Sequence, residues 1–149
     1  MNQHISKALA ISAFSALILS SNVLAQDMTL GSWVTIDEKS NLPSSRILIV
    51  ERNGELIGTV TELITTPGEM LQTHCTLCKG DLKGKPIIGM TILKGLKKDK
   101  PGQWSGGEIV DPDDGEVYKV RLSTDDGKIL KVRGYIGIPL LGRTQNWIR

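Results

Sequence analysis

The sequence predicts an all-β protein, an eight-stranded up-and-down antiparallel barrel, and three observations carry that prediction. Turn-forming residues punctuate the chain at short intervals, and no helical period competes with the runs between them. The runs are joined mostly by tight turns, which favours a meander of hairpins. The final run ends on a strand bearing Trp147 and Arg149 that needs a partner, and the first run, around Trp33, is the free one. Eight short strands without a crossover helix fit either a sandwich or a barrel. Closure favours the barrel, because pairing first to last removes the exposed edges.

The first run is Leu30 to Asp37, ended by Glu38, Lys39, Ser40, Asn41 and Pro43. The second, Ser45 to Arg52, leads into Asn53-Gly54, which tolerate the positive φ of a type I′ turn, so the third, Glu55 to Ile64, returns antiparallel. Thr65 to Lys85 holds Pro67, three glycines and both cysteines, and reads as a long loop over one end of the sheet. Pro86 to Leu93 is the fourth run and Lys97 to Gly102 a charged turn. Gln103 to Val110 is the fifth, ended by the turn Asp111 to Gly115. In the sixth, Glu116 to Ser123, Tyr118, Val120 and Leu122 share one face and Val117, Lys119 and Arg121 the other. Asp125-Asp126-Gly127 turns into the seventh, Lys128 to Tyr135. Gly137 and Pro139 then turn the chain into the eighth, Leu140 to Arg149.

Residues 1–25 read as a cleavable secretory signal: Lys7 in a short polar start, a mostly apolar run from Ala8 to Leu19, then Val23-Leu24-Ala25 before Gln26. The apolar run falls short of the roughly 20 residues a membrane span needs, and no later stretch exceeds it. Cleavage is expected after Ala25, leaving one domain, 26–149, with no transmembrane segment. No cysteine lies near Ala25 and no Arg-Arg pair precedes it, which disfavours a lipoprotein and a twin-arginine route. Lys7 is the only Lys, Arg, Asp or Glu removed, so the formal charge falls from +2 to +1 with the signs well mixed. Overall charge therefore argues for neither nucleic acid nor a membrane surface as partner. Phe14, the only Phe, leaves with the signal, so the core must be aliphatic residues, three Trp and two Tyr.

Several motifs in fixed order carry a family resemblance: Gly31-Ser32-Trp33, Cys75-x-x-Cys78-x-Gly80, Gly106-Gly107-x-Ile109-x-Asp111-Pro112, Gly115 to Tyr118, Leu130 to Tyr135, and Leu141-Gly142-Arg143-Thr144-Gln145-x-Trp147. Together they resemble a bacterial family catalogued as domain of unknown function 2147, over essentially the whole of residues 26–149. The resemblance implies a periplasmic, lipocalin-like barrel and supplies neither substrate nor reaction. Gly31-x-Trp33 is also similar to the lipocalin signature, whose Trp closes the barrel floor beneath an Arg of the last strand. Antiparallel pairing of the first and last strands would bring Trp33 to Trp147 and Arg149, in agreement with that implication.

Cys75 and Cys78 are the only cysteines, and in an oxidising compartment a disulfide is the default. Thiol–disulfide exchange is a sharper alternative, but the pair lacks a βαβ context. Zinc would find His74, Cys75 and Cys78 and no evident fourth ligand, and haem attachment needs His where Lys79 stands. No metal and no cofactor is expected. On the last strand Leu141, Arg143, Gln145, Trp147 and Arg149 share a face, so an inward Trp147 carries Arg143 and Gln145 into the barrel, where an unpaired charge is costly. Either Arg143 and Gln145, with Arg133 or Tyr135, recognise an anionic or polar group, or Arg143 pairs internally with Glu62, Glu108 or Asp37. Trp104, before Ser105-Gly106-Gly107, either stacks on a ligand at a cavity mouth or packs beside a glycine kink. The tentative ligand-binding set is Trp33, Trp104, Arg133, Tyr135, Arg143, Gln145 and Trp147.

Asp111 to Gly115 lacks the fifth-position acid and the distal Glu of a calcium loop and reads as a turn, and no triad, carboxylate pair or phosphate-cradling loop emerges, so a non-enzymatic protein is expected. The leading reading is a periplasmic barrel that binds a small apolar or amphipathic molecule. A thiol- or metal-active loop at His74, Cys75 and Cys78 is one alternative. A filled barrel serving as a protein-interaction module is another.

Overall fold

The computed structural model describes residues 25–65, 67–68 and 70–149; the leader expected at residues 1–25 lies outside them except for Ala25. Eight antiparallel strands, each bonded to the next and the last to the first, form a closed barrel. They are β1 Gly31–Ile36, β2 Pro43–Arg52, β3 Glu55–Leu63, β4 Thr91–Lys100, β5 Gln103–Val110, β6 Val117–Ser123, β7 Ile129–Tyr135 and β8 Arg143–Ile148. The seam runs through Val34 of β1 opposite Ile148 of β8. Asn53 and Gly54, at φ of 52° and 76°, form the two-residue turn that fixes the β2–β3 register at Arg52 opposite Glu55.

Two strands are shifted by more than two residues from the sequence reading. The fourth strand is not Pro86 to Leu93 but Thr91–Lys100. Met90 N–H closes a turn onto the Ile87 carbonyl at 3.0 Å and Gly89 sits at φ 86°, so Ile87 and Met90 are buried from a turn rather than from a strand. The charged stretch after Leu96 stays in the sheet because its lysines meet acids: Lys97 on the outer face pairs with Glu55 at 2.7 Å, and Lys98, on the same face as Trp104, reaches Asp27 at the barrel end at 2.9 Å. The eighth strand starts at Arg143, since Pro139–Leu141 forms a single 3-10 turn.

Short connections and the N-terminal segment lie at one end of the barrel, and the long loop between β3 and β4 lies at the other. The short-connection end is filled. Trp33, Leu56, Leu96, Trp104, Leu122 and Leu130 are almost fully buried there. Their bulk requires missing atoms elsewhere: a Cβ on Gly107 would lie 2.5 Å from Leu96 Cγ, and one on Gly58 would lie 2.8 Å from Leu93.

Two contacts seal this end. Asp27, its side chain 2% exposed, accepts from Thr29 N–H (3.0 Å), Thr29 Oγ1 (2.6 Å), Gly102 N–H (3.3 Å) and Trp104 Nε1 (3.4 Å), and pairs with Lys98 at 2.9 Å. The Arg149 guanidinium lies 4.0 Å from the centre of the Trp33 ring and donates to the Leu30 carbonyl at 2.7 Å. Trp33 Nε1 donates to the Thr29 carbonyl at 2.9 Å. The last-strand arginine over a first-strand tryptophan is the arrangement the lipocalin resemblance implies.

Burial alone would raise the Asp27 pKa, but its hydrogen bonds from Thr29, Lys98 and Gly102 outweigh that and hold the carboxyl well below the usual range. Its stabilisation is therefore present above the ordinary Asp pKa of about 3.9 and is lost as pH falls toward the folded value. Asp27→Ala is expected to cost about 1–3 kcal/mol at neutral pH, because it strands several buried donors. Denaturant unfolding of both proteins from neutral to acid pH checks this, and the gap should close as pH falls.

Candidate functional site

Above the filled half the barrel is hollow. A cavity of about 500 Å³ opens toward the long loop. Its apolar wall is Val60, Leu63, Ile87, Ile92, Ile109 and Trp147. A side recess of about 60 Å³ leads toward Tyr118, Val132 and Gly134. Residue size explains the split, because the bulky Trp33 and Trp104 rings lie in the filled half while small Thr35, Ser44 and Ser45 face the open one.

Thr35, Ser44 and Ser45 form a hydroxyl cluster, with Thr35 Oγ1 2.7 Å from the side-chain oxygens of both serines. Thr35 Oγ1 also accepts from Ser45 N–H at 3.0 Å, beside the bulge between Thr35 and Ile36. Four acids, Asp37, Glu38, Asp111 and Asp113, and two bases, Lys39 and Arg143, line the mouth. Burial pushes the Asp111 carboxyl up, and the charges of Asp114 and Asp113 add to this while Arg143 opposes it. Burial likewise raises Asp113, helped by Asp37 and Asp114. Tyr118 donates to Asp114 at 2.6 Å, and that bond is the main reason its pKa is pushed up to about 12. The mouth is thus a region short of positive charge.

The long loop docks on the β5–β6 turn. Cys75 and Cys78 are disulfide-bonded and buried. The Leu77 carbonyl lies so close over Gly115 that a Cβ there would clash with backbone, which explains the glycine. Gln72 Nε2 donates to the Pro112 carbonyl at 3.0 Å, and Lys79 pairs with Glu116 at 2.6 Å. Met70, Leu71 and Gln72 reach the cavity rim. His74 shares a hydrogen bond of 2.9 Å with the Thr73 hydroxyl, and among the described residues no three His, Cys, Asp or Glu side chains are placed to hold a metal.

The expected ligand set is only partly brought together. Arg143, Gln145 and Trp147 line the cavity, with Trp147 Nε1 donating to Gln145 Oε1 at 3.3 Å. Trp33 and Trp104 do not line it. Trp104 lies in the filled end, tied to Asp27 and with Lys98 Nζ 5.6 Å from its ring centre, so it packs as a core residue and is not at the mouth. Arg133 and Tyr135 also leave the set, because Val132 and Gly134 take the inward positions of β7. Arg133 turns outward to the β7–β8 loop, donating to the carbonyls of Pro139 (2.7 Å) and Leu140 (3.1 Å) and to Thr144 Oγ1 (2.8 Å). Arg143 pairs with Glu38 at 3.2 Å at the rim, its side chain 74% exposed. The acids expected as its partner are engaged elsewhere: Glu62 with Arg46, Glu108 with Lys94, and Asp37 with its own loop at Lys39 and Ser40. The sequence reading missed Asp111, Glu38 and the hydroxyl cluster; Ser44-Ser45 directly after Pro43 was the one available signal for the last.

The family described as "Uncharacterized protein conserved in bacteria (DUF2147)" matches residues 31–149. The chain belongs to this family. Among solved structures, protein HP1028 from the human pathogen Helicobacter pylori, described as belonging to the lipocalin family, is similar with a TM-score of 0.68. The two share 21% identity over 80% of this chain and 81% of the other, a likeness that shows the fold alone. No curated protein sequence matches significantly. The DUF2147 barrel described here is therefore lipocalin-like in fold.

Two outcomes are expected at this site. The folded Asp111 carboxyl binds its proton more tightly than the unfolded one, so its stabilising share is present at low pH and lost as pH rises. Asp111→Asn keeps the oxygen that accepts from Asp113 N–H (2.9 Å). It should therefore raise the thermal midpoint at pH 7 and not at pH about 3. Reducing the Cys75–Cys78 bond, which spans 3 positions, should cost no more than about 2 kcal/mol. Hydrogen exchange should then quicken around residues 71–90 and stay unchanged in β6 and β7.

Proposed function

We propose that this protein is an exported, non-enzymatic barrel that binds a small amphipathic molecule in the periplasm. The observation that carries the reading is the open cavity of about 500 Å³, apolar on its inner wall and polar at its mouth. An apolar body fits against Trp147, Ile92, Ile109 and Val60. A polar end then meets Gln145, Arg143, Asp111 and the hydroxyls of Thr35, Ser44 and Ser45. Because acids outnumber bases at the mouth and Arg143 already has Glu38, a cationic or hydrogen-bond-donating end is favoured over an anionic one. The thiol-active alternative has less support, since both cysteines are buried. The signal read at residues 1–25 supports export.

Native mass spectrometry of the protein isolated from its own cells, followed by titration with the released molecule or an apolar fluorescent probe, tests this reading. Ligand is expected to alter Trp fluorescence through Trp147 alone, so Trp147→Phe should remove the change although Trp33 and Trp104 remain. Ile109→Trp, which fills the cavity, should weaken binding by at least about tenfold with the fold retained. Absence of any bound molecule together with no probe binding would sink the proposal.

A further inference from the structure

The β7–β8 connection exposes four large apolar side chains in six positions: Ile136 (71%), Ile138 (54%), Leu140 (81%) and Leu141 (77%). An exposed apolar cluster of this kind marks an interaction site more often than an idle surface. Its backbone is unusually self-contained. Leu141 N–H donates to the Ile138 carbonyl (3.3 Å), Gly142 N–H to that of Pro139 (3.1 Å), and the outward Arg133 donates to the carbonyls of Pro139 and Leu140. Pro139 has no N–H to satisfy. A segment entering hydrocarbon cannot leave backbone groups unpaired, and three successive carbonyls here are already paired.

The sheet beside this loop is basic on its outer face. Arg121 of β6 lies opposite Arg133 of β7, Lys119 opposite Tyr135, and Ser123 opposite Lys131. Lys131 has Asp125 at 3.8 Å, and Lys119 faces Glu108, which is itself 3.7 Å from Lys94. Arg121 has no acidic partner among the described residues. The near-neutral net charge, which gave no reason to expect a membrane surface as partner, conceals this segregation. The mouth acids Asp111 and Asp113 belong to the β5–β6 turn and line the cavity.

We propose that this rim is a docking surface for a bilayer containing anionic lipid, with Ile136, Ile138, Leu140 and Leu141 entering the interface while Lys119 and Arg121 meet the headgroups. Apolar insertion and attraction to anionic lipid add in such binding. The acidic mouth is repelled by the same surface, so the barrel approaches tilted onto its β6–β7 face. Arg143 follows the loop directly and lines the cavity, which places the mouth beside the bilayer. The docking does not depend on ligand binding, since an empty barrel presents the same loop.

The test is co-sedimentation of the protein, purified from the cells that make it, with vesicles of phosphatidylcholine alone and of phosphatidylcholine mixed with phosphatidylglycerol. Binding to the mixed vesicles is expected to exceed that to phosphatidylcholine by more than about tenfold and to fall with added salt. The double substitution Leu140→Ser/Leu141→Ser and the single Arg121→Glu should each weaken binding at least about tenfold, with an unchanged thermal midpoint because these side chains are not in the core. No binding to mixed vesicles, equal binding to both compositions, or wild-type binding by the serine variant overturns the proposal. So does a concentration-dependent dimer that the serine variant abolishes, since the loop would then belong to a second copy.

Discussion

The Asp27 carboxylate ties the stretch before β1 to the β4–β5 hairpin: it accepts from the Gly102 N–H of the turn and from the Trp104 ring, and pairs with Lys98 of β4. A barrel that is hollow at one end must be sealed at the other, and a charged side chain is an unexpected seal. It succeeds because every lone pair is taken. Burying a carboxylate is costly, and the cost is offset here by directed donors and one lysine. Arg149 and Trp33 complete the seal from the other side of the seam. The β1–β8 junction is short, with Val34 opposite Ile148, so these end contacts add to what few ladder bonds provide.

From that seal upward the barrel changes from solid to hollow. Two large aromatic rings and several leucines fill the lower half, where Gly58 and Gly107 give way to Leu93 and Leu96. Trp147 is the boundary residue, buried yet lining the cavity. Above it the chain uses Val, Ile, Thr and Ser, which cannot meet across the lumen. The cavity is thus a consequence of side-chain size along strands of fixed diameter, and no special element is needed to create it. The long loop only shapes the rim, and its disulfide fixes the piece that rests on Gly115.

Hairpin punctuation made most of the barrel legible from the sequence. Asn53-Gly54, Asp125 to Gly127 and the alternation of β6 are local signals, and local signals survive folding. The fourth strand was misplaced because its evidence was non-local. Nothing near Lys97 or Lys98 announces Glu55 and Asp27, so a run of lysines read as a turn. Orientation failed for a related reason at Arg133 and Tyr135: alternation gives two faces without saying which is inside, and the β7 pattern was not anchored to a buried residue. On β8 Trp147 supplied that anchor, and Arg143 and Gln145 came out on the cavity side. Glu38 as the partner of Arg143 lay in a loop whose path over the mouth has no sequence signature.

The distribution of charge links the cavity to the outer wall. Across the open end, acids face inward to the mouth at Asp111 and Asp113, while cations collect outside on β6 and β7. The inner acids are disfavoured as carboxylates by burial and by one another, opposed at Asp111 by the Asp113 N–H and by Arg143, which is shared with Glu38, and at Asp113 by Lys39. Moving Arg121 or Arg133 inward would relieve that imbalance, yet both sit on the other face of the same strands. The β6–β7 register fixes this outcome, since a one-residue slip would exchange the faces and bury both arginines in place of Val120 and Val132. The apolar core therefore sets the side on which each charge appears. A chain whose net charge argues for no partner thus acquires an acidic mouth from the turns after β1 and β5 and, through strand alternation on β6 and β7, a basic outer face.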